Sequence, residues 1–242
     1  MFIRKVCRAV CVNQMIVYGD SNGKGVIWSE TLGRYRITRE SCVRLLTECL
    51  PFPVENRSVM GSTAQRCLEG LEQDDIPAGA LVVFAFGSND SDMDWDAVSR
   101  APDQPHAARV PVEAFEAALR QMIRITRSRG AEPVIATPVP LVAERYFNWV
   151  SRALDQEAIL RYLGDTAQMA RWQERWAHAA ERVAYTENAP LADLRDAMLR
   201  CLNFEQMYCA DGIHLNEKGH RYLFETLRES LPLLGGSFPK AV

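Results

Sequence analysis

The sequence predicts an α/β protein of three layers, with helices on both faces of a five-stranded parallel sheet. Short apolar runs alternate with stretches of helical periodicity along most of the chain, the pattern of strand–helix–strand units joined by right-handed crossovers. The most continuous run, Ala80–Phe86 (A-L-V-V-F-A-F), shows no polar alternation, as expected of a central strand buried on both faces. The ends of the first three strands also matter. They run into small or polar residues at Ser21, Gly61 and Asn89. In open parallel sheets the carboxyl ends of strands meet at the crevice where ligands bind.

The elements follow in chain order. Met15–Tyr18 is the first strand, stopped by Gly19-Asp20-Ser21-Asn22-Gly23. Residues 24–37 have no clear period and read as a loop or short helix. Thr38 offers an N-cap to a helix with Val43, Leu46 and Leu50 on one face, ended by Pro51 and Pro53. Val54–Val59 alternates like a half-buried strand, and Cys67, Leu68 and Leu71 suggest a short helix beyond it. After Ala80–Phe86 an acidic loop reaches about Val110. Asp90, Asp92, Asp94 and Asp96 alternate there, but the turn glycine and closing glutamate of a calcium loop are missing, so a solvated loop is expected. Pro111 suits a first helical position, with Phe115, Leu119, Met122, Ile123 and Thr126 on the inner face. Pro133–Thr137 is the fourth strand. Residues 139–166 give no single helix. Met169, Trp172, Trp176, Ala180 and Val183 mark the next helix, Ala189–Leu194 the fifth strand, and 216–231 the last helix with Leu223, Leu227 and Leu231 inward. Five strands suit the flavodoxin-like order 2-1-3-4-5.

Composition narrows the function. At 242 residues and 48% hydrophobic the chain can bury one large core. Residues 15–234 are expected to form a single domain, after an extension at 1–14 and before a loose tail at 235–242. The net charge of −3, with the signs well mixed, argues against a nucleic-acid groove or an anionic membrane surface as partner. No apolar run approaches the roughly 20 residues of a membrane span. Seven cysteines, an odd number with no C-x-x-C pair, give no support to a metal or dithiol centre and suit a reduced, cytoplasmic protein. No cofactor is called for.

Two stretches carry chemistry. Met15–Gly25 delivers a serine to a glycine-flanked turn, which is either a way to present a nucleophile or an ordinary polar turn. Gly19–Gly23 also fits G-x-S-x-G, but the α/β-hydrolase elbow comes after several strands, not on the first. Near the other end, Asp211-Gly212-Ile213-His214 precedes the last helix. That spacing lets one turn hold a carboxylate and an imidazole at the same rim. Asp193 is a rival acid, for which a capping role is expected. His106, His178 and His220 carry no partner signature.

Taken together, these residues resemble the SGNH (GDSL-type) ester hydrolases. Gly19-Asp20-Ser21-Asn22 matches the nucleophile block in its G-D-S-N variant, Gly61 the glycine block, Gly87-Ser88-Asn89-Asp90 the G-x-N-D block, and Asp211 with His214 the D-x-x-H block. The resemblance implies a serine hydrolase of a small carboxylic ester. In it Ser21 is the nucleophile, His214 the base and Asp211 its orienting acid. The Ser21 and Gly61 N–H groups and the Asn89 amide form the oxyanion hole. It is similar above all to bacterial arylesterases and short-acyl esterases. The same residues would serve an acyltransferase, a thioesterase or a carbohydrate deacetylase, and a non-catalytic binding domain is the rival from another class. Leu215 follows His214 where many relatives have proline. Residues 139–166 match no motif, so substrate choice is expected there.

Overall fold

The computed structural model describes residues 3–4 and 12–230. The expected tail at 235–242, Leu231 and most of the 1–14 extension lie outside the described residues. In chain order the first half comprises β1 (Ile3–Arg4), β2 (Gln14–Gly19), α1 (Ser21–Lys24), β3 (Val26–Ser29), β4 (Arg34–Ile37), α2 (Cys42–Cys49), β5 (Val54–Asn56), α3 (Ala64–Leu71), β6 (Ala80–Ala85), α4 (Ser88–Ser91) and α5 (Trp95–Arg100). The second half comprises α6 (Val112–Ser128), β7 (Glu132–Ala136), α7 (Ala143–Ser151), α8 (Gln156–Leu163), α9 (Gln168–Thr186), β8 (Leu191–Ala192), α10 (Leu194–Leu199), a 3-10 turn at Phe204–Met207 and α11 (Glu217–Ser230).

Five strands run parallel in the order β5-β2-β6-β7-β8, which is 2-1-3-4-5 in chain order. Ile3 and Arg4 add an antiparallel pair at the β8 edge, opposite Ala192 and Leu191. Side chains alternate across the pleat and build two cores. Ile16, Tyr18, Val82 and Phe84 pack with Phe115, Leu119, Met122 and Trp176 of α6 and α9. Met15, Val17 and Leu81 pack with Val43 and Leu46 of α2 and Leu223 of α11. A third cluster, around Met93, Leu141, Phe147, Ile159, Leu163 and Met169, sits beneath α7 and α8.

Several expectations are corrected. Residues 24–37 are neither loop nor helix but a β-hairpin, with Trp28 opposite Tyr35 and Gly33 at φ 57° in its turn. Val26 and Ile27 are both buried, which breaks the period of two that reveals a strand. The cap of α2 is Ser41, whose Oγ accepts from Arg44 N–H at 3.3 Å. Thr38 instead donates to Glu217 at 2.7 Å, tying the hairpin to α11. The acidic loop is not simply solvated. Asp94 caps a helix, α5, that the sequence did not suggest, and Asp90 is fully buried. Pro111 stands at the N-cap of α6 rather than within it. As expected, residues 139–166 form no single helix; they fold into two, the second ended by Gly164 at φ 79°.

His220, on α11, is 1% exposed, and its Nδ1 accepts from Cys42 N–H at 3.4 Å. Its Nε2 has no partner among the described residues. Burial, with a smaller contribution from nearby His214, pushes its imidazole down to about 4. An unfolded histidine titrates near 6.5, so between these values only the unfolded chain takes up the proton. Its contribution to stability is therefore complete above about pH 6.5 and is lost as pH falls through about 4. Urea unfolding at pH 7 and pH 5 should show the wild type losing about 2 kcal/mol more than His220→Gln. Equal losses in the two proteins would contradict this.

Candidate active site

Ser21 is the first residue of α1, a single helical turn at the carboxyl end of β2. Asp20 caps that turn in an extended conformation, its Oδ1 accepting from Asn22 N–H at 2.9 Å. Glycine is needed on either side for room. A Cβ at Gly23 would lie 2.5 Å from Ser58 Oγ, and one at Gly19 would lie 3.1 Å from the Ala85 carbonyl oxygen. The turn therefore sits directly on the segment that follows β5.

The Asp211–His214 turn meets it from the far end of the chain. Asp211 Oδ1 accepts from Ile213 N–H at 3.1 Å and His214 N–H at 3.0 Å, and Oδ2 lies 2.7 Å from His214 Nδ1. His214 Nε2 lies 2.9 Å from Ser21 Oγ. Asp211 is 0% exposed. Burial alone would raise its carboxyl, but hydrogen bonding and charge from His214 and the two backbone donors together hold it below the usual carboxylate value. Asp211 therefore stays ionised at neutral pH and accepts a hydrogen bond from Nδ1–H, leaving Nε2 as the acceptor facing the serine hydroxyl. Gly212 (φ 72°) is wedged against the start of α7. A Cβ there would lie 2.7 Å from both Val142 O and Tyr146 N.

The other expected residues flank this series. Val59 N–H donates to Gly19 O at 3.0 Å, which brings the Gly61 segment alongside the serine turn. Gly61 adopts φ 74° with open space where a Cβ would stand, so it is the backbone angle that favours glycine here. Asn89, on α4 after β6, points its amide nitrogen at Asp20 Oδ2 across 3.4 Å. Asp90 ties the two flanking loops together, Oδ1 accepting from Ala64 N–H at 2.9 Å and Oδ2 from Gly87 N–H at 3.0 Å. Burial lifts its carboxyl to about 7 and also raises that of Asp20. Asp193 is not part of the series. It caps α10 through Asp196 N–H and accepts from Thr137 Oγ1. His178 is exposed beside Glu181, and His106 contacts Ala101 O.

Sequence reasoning missed two contributors. Asn22 clamps the histidine turn from both sides, its Oδ1 accepting from Leu215 N–H at 3.0 Å and its Nδ2 donating to Ile213 O at 3.2 Å. A proline at 215 would have no N–H to offer, so asparagine at 22 and leucine at 215 fit each other. That pairing was the available signal. The second contributor is Tyr35 of the hairpin, whose ring lies 5.0 Å from the His214 ring and 6.3 Å from Trp149. Burial, reinforced by the Asp211 charge, pushes its hydroxyl well above the ordinary tyrosine value. Among the described residues no cluster of three His, Cys, Asp or Glu side chains is placed to hold a metal ion, and no helix is long and apolar enough to cross a membrane.

A doubly wound parallel sheet with serine, imidazole and carboxylate in series at its carboxyl edge places the chain among SGNH-type α/β proteins. The chain belongs to the GDSL-like lipase/acylhydrolase family, whose model matches residues 17–222. It is 30% identical over 151 residues to an isoamyl acetate-hydrolyzing esterase 1 homolog from Bos taurus, covering 61% of this chain and 53% of the relative. The Homo sapiens counterpart is 28% identical over 170 residues, covering 66% and 60%. The chain thus spans between half and two thirds of the length of these relatives. An aryl esterase structure from M. smegmatis superposes with a TM-score of 0.63 at 16% identity, covering 92% of this chain and 100% of that one. At that identity the likeness speaks for the fold.

If the serine–histidine pair carries the reaction, removing the Asn22 clamp should loosen the histidine without touching Ser21 Oγ or His214 Nε2. Asn22→Ala is expected to lower kcat on a reporter ester roughly 10- to 100-fold while KM moves little, because misplacement of about 1 Å has that cost. A loss of thermal stability with kcat unchanged would make Asn22 merely structural.

Proposed function

We propose that the chain is a serine esterase acting on a small carboxylic ester with a short acyl or aryl group. The carrying observation is the unbroken series from Asp211 through His214 to Ser21, with contacts of 2.7 and 2.9 Å. A serine hydroxyl is a poor nucleophile until a base removes its proton. In this reading His214 Nε2 accepts that proton as Ser21 Oγ attacks the ester carbonyl carbon. Ionised Asp211 stabilises the imidazolium that forms. The carbonyl oxygen gains charge and takes hydrogen bonds from the Ser21 and Gly61 N–H groups and the Asn89 amide. His214 then gives its proton to the departing alcohol as the C–O bond breaks, leaving an acyl group on Ser21. Water activated by the same imidazole releases the acid and restores the serine.

Further support comes from the free donors. Gly61 N–H makes no hydrogen bond among the described residues. The 3.4 Å contact to Asp20 is long, so Asn89 is aimed by it and not consumed by it. The relatives named for isoamyl acetate hydrolysis favour a short-acyl ester. We assign the activity to one domain over residues 15–234, with a small molecule as its partner.

Hydrolysis of a chromogenic acetate ester tests the reading. Ser21→Ala should lose at least roughly 10⁴ in kcat and Asp211→Asn a comparable factor. Asn89→Ala should lose roughly 10²–10³ with KM nearly unchanged. Ser21→Ala within tenfold of the wild type would sink the proposal.

A further inference from the structure

A cavity of about 230 Å³ is lined in part by residues of two of the motifs and in larger part by residues that none of the motifs accounts for. Two of its lining residues adjoin the site in sequence, since Ile213 precedes His214 and Ser88 precedes Asn89. Half of the remaining lining residues are apolar: Met93, Trp95, Leu141, Leu163, Met169 and Trp172. Part of it stands on α7 and α8, in the 139–166 segment that matches no motif.

Building on the esterase reading, we propose that this cavity receives one substituent of the ester, and that the substituent is neutral, apolar and of limited size. The chemistry of the wall sets the first two properties. No lysine, arginine or histidine lines the cavity among the described residues. Several of its polar groups are already partnered. Asp92 Oδ1 accepts from Tyr146 Oη at 2.6 Å and Trp95 Nε1 at 2.9 Å, and its Oδ2 pairs with Arg109 at 2.8 Å. Gln173 spans from Ser88 Oγ at 3.5 Å to Arg195 Nη1 at 3.1 Å, and Trp172 Nε1 donates to Ser91 O at 2.9 Å. A carboxylate entering here would lose its hydration and find no cation on the wall in exchange, only the Asp92 carboxylate. A hydrocarbon needs none.

Volume sets the third property. An apolar cavity of about 150 Å³ accommodates benzene, or roughly 25 Å³ for each carbon. At that density this cavity holds about nine non-hydrogen atoms. Such a limit admits a branched or aromatic group of moderate size and refuses a long lipid chain. Either the acyl or the alcohol side of an ester has this chemistry, and the two arms of the test separate them.

The rate constant kcat/KM is measured for the wild type on ethyl esters of acids from two to twelve carbons, and on acetates of alcohols over the same range. Each series includes one member ending in a carboxylate. In one series the rate should climb at least tenfold to a maximum near eight or nine carbons and then fall. The charged member of that series should run at least tenfold below its neutral isostere. Leu163→Trp, which fills the cavity, should move the maximum to shorter chains, and Leu141→Ala, which enlarges it, to longer ones. Flat rates in both series, a charged member that keeps pace, or a maximum that neither variant moves would overturn the proposal. If one variant does not fold, the wild-type series and the other variant still decide. Failure of the wild type on every ester would count against the esterase reading itself, and so is a different result.

Discussion

One buried charge governs this structure. Asp211 has no exposure to water, and an isolated carboxylate in that position would be strongly disfavoured. It is held ionised by His214 Nδ1 and by two backbone N–H groups of its own turn. That balance fixes which nitrogen of His214 carries the proton, and the free nitrogen then faces Ser21. The serine and the histidine lie 193 positions apart in sequence, so the whole sheet works to bring them together. Strand β2 sets the serine at the carboxyl edge, and the turn before the last helix sets the histidine above it.

A set of polar braces keeps that meeting in place. Asp20 caps the serine turn and faces Asn89. Asp90 joins the starts of α3 and α4, the helices that follow Gly61 and bear Asn89. Asn22 holds the residues on both sides of His214. These groups are buried or partly buried, and each has specific partners, which is how polar side chains in such positions avoid the cost of lost hydration. Hydrogen bonds within and between turns, more than apolar packing, set the position of these groups at the carboxyl edge.

Much of this was legible in the residues. Ala80–Phe86 and Met15–Tyr18 read as parallel strands because they are uniformly apolar, and the sheet order followed from the count of strands and helices. Ser21, Gly61 and Asn89 stood out because small or polar residues end three strands, and Asp211 and His214 because their spacing puts both on one turn before the last helix. What could not be read depends on contacts distant in sequence. The hairpin at 24–37 leans Trp28 on Trp149, a partner more than a hundred residues away. Thr38 looked like the cap of α2, but Glu217 claims its hydroxyl and Ser41 takes the role. The acidic loop looked solvated because its neighbours in sequence are polar. Asp92 instead meets Tyr146 of α7 and Arg109, and Asp90 meets the start of α3. Asn22 was visible as part of a motif, yet its role required knowing what lies across the crevice.

The central claim is that Ser21 is a nucleophile activated by His214. The most direct measurement is intact-protein mass after exposure to a reactive fluorophosphonate, with the adduct mapped by peptide digestion. The expected result is one adduct on Ser21 in the wild type and none in folded Ser21→Ala. A well-folded wild type that takes no adduct, or one labelled equally in both proteins, would contradict it.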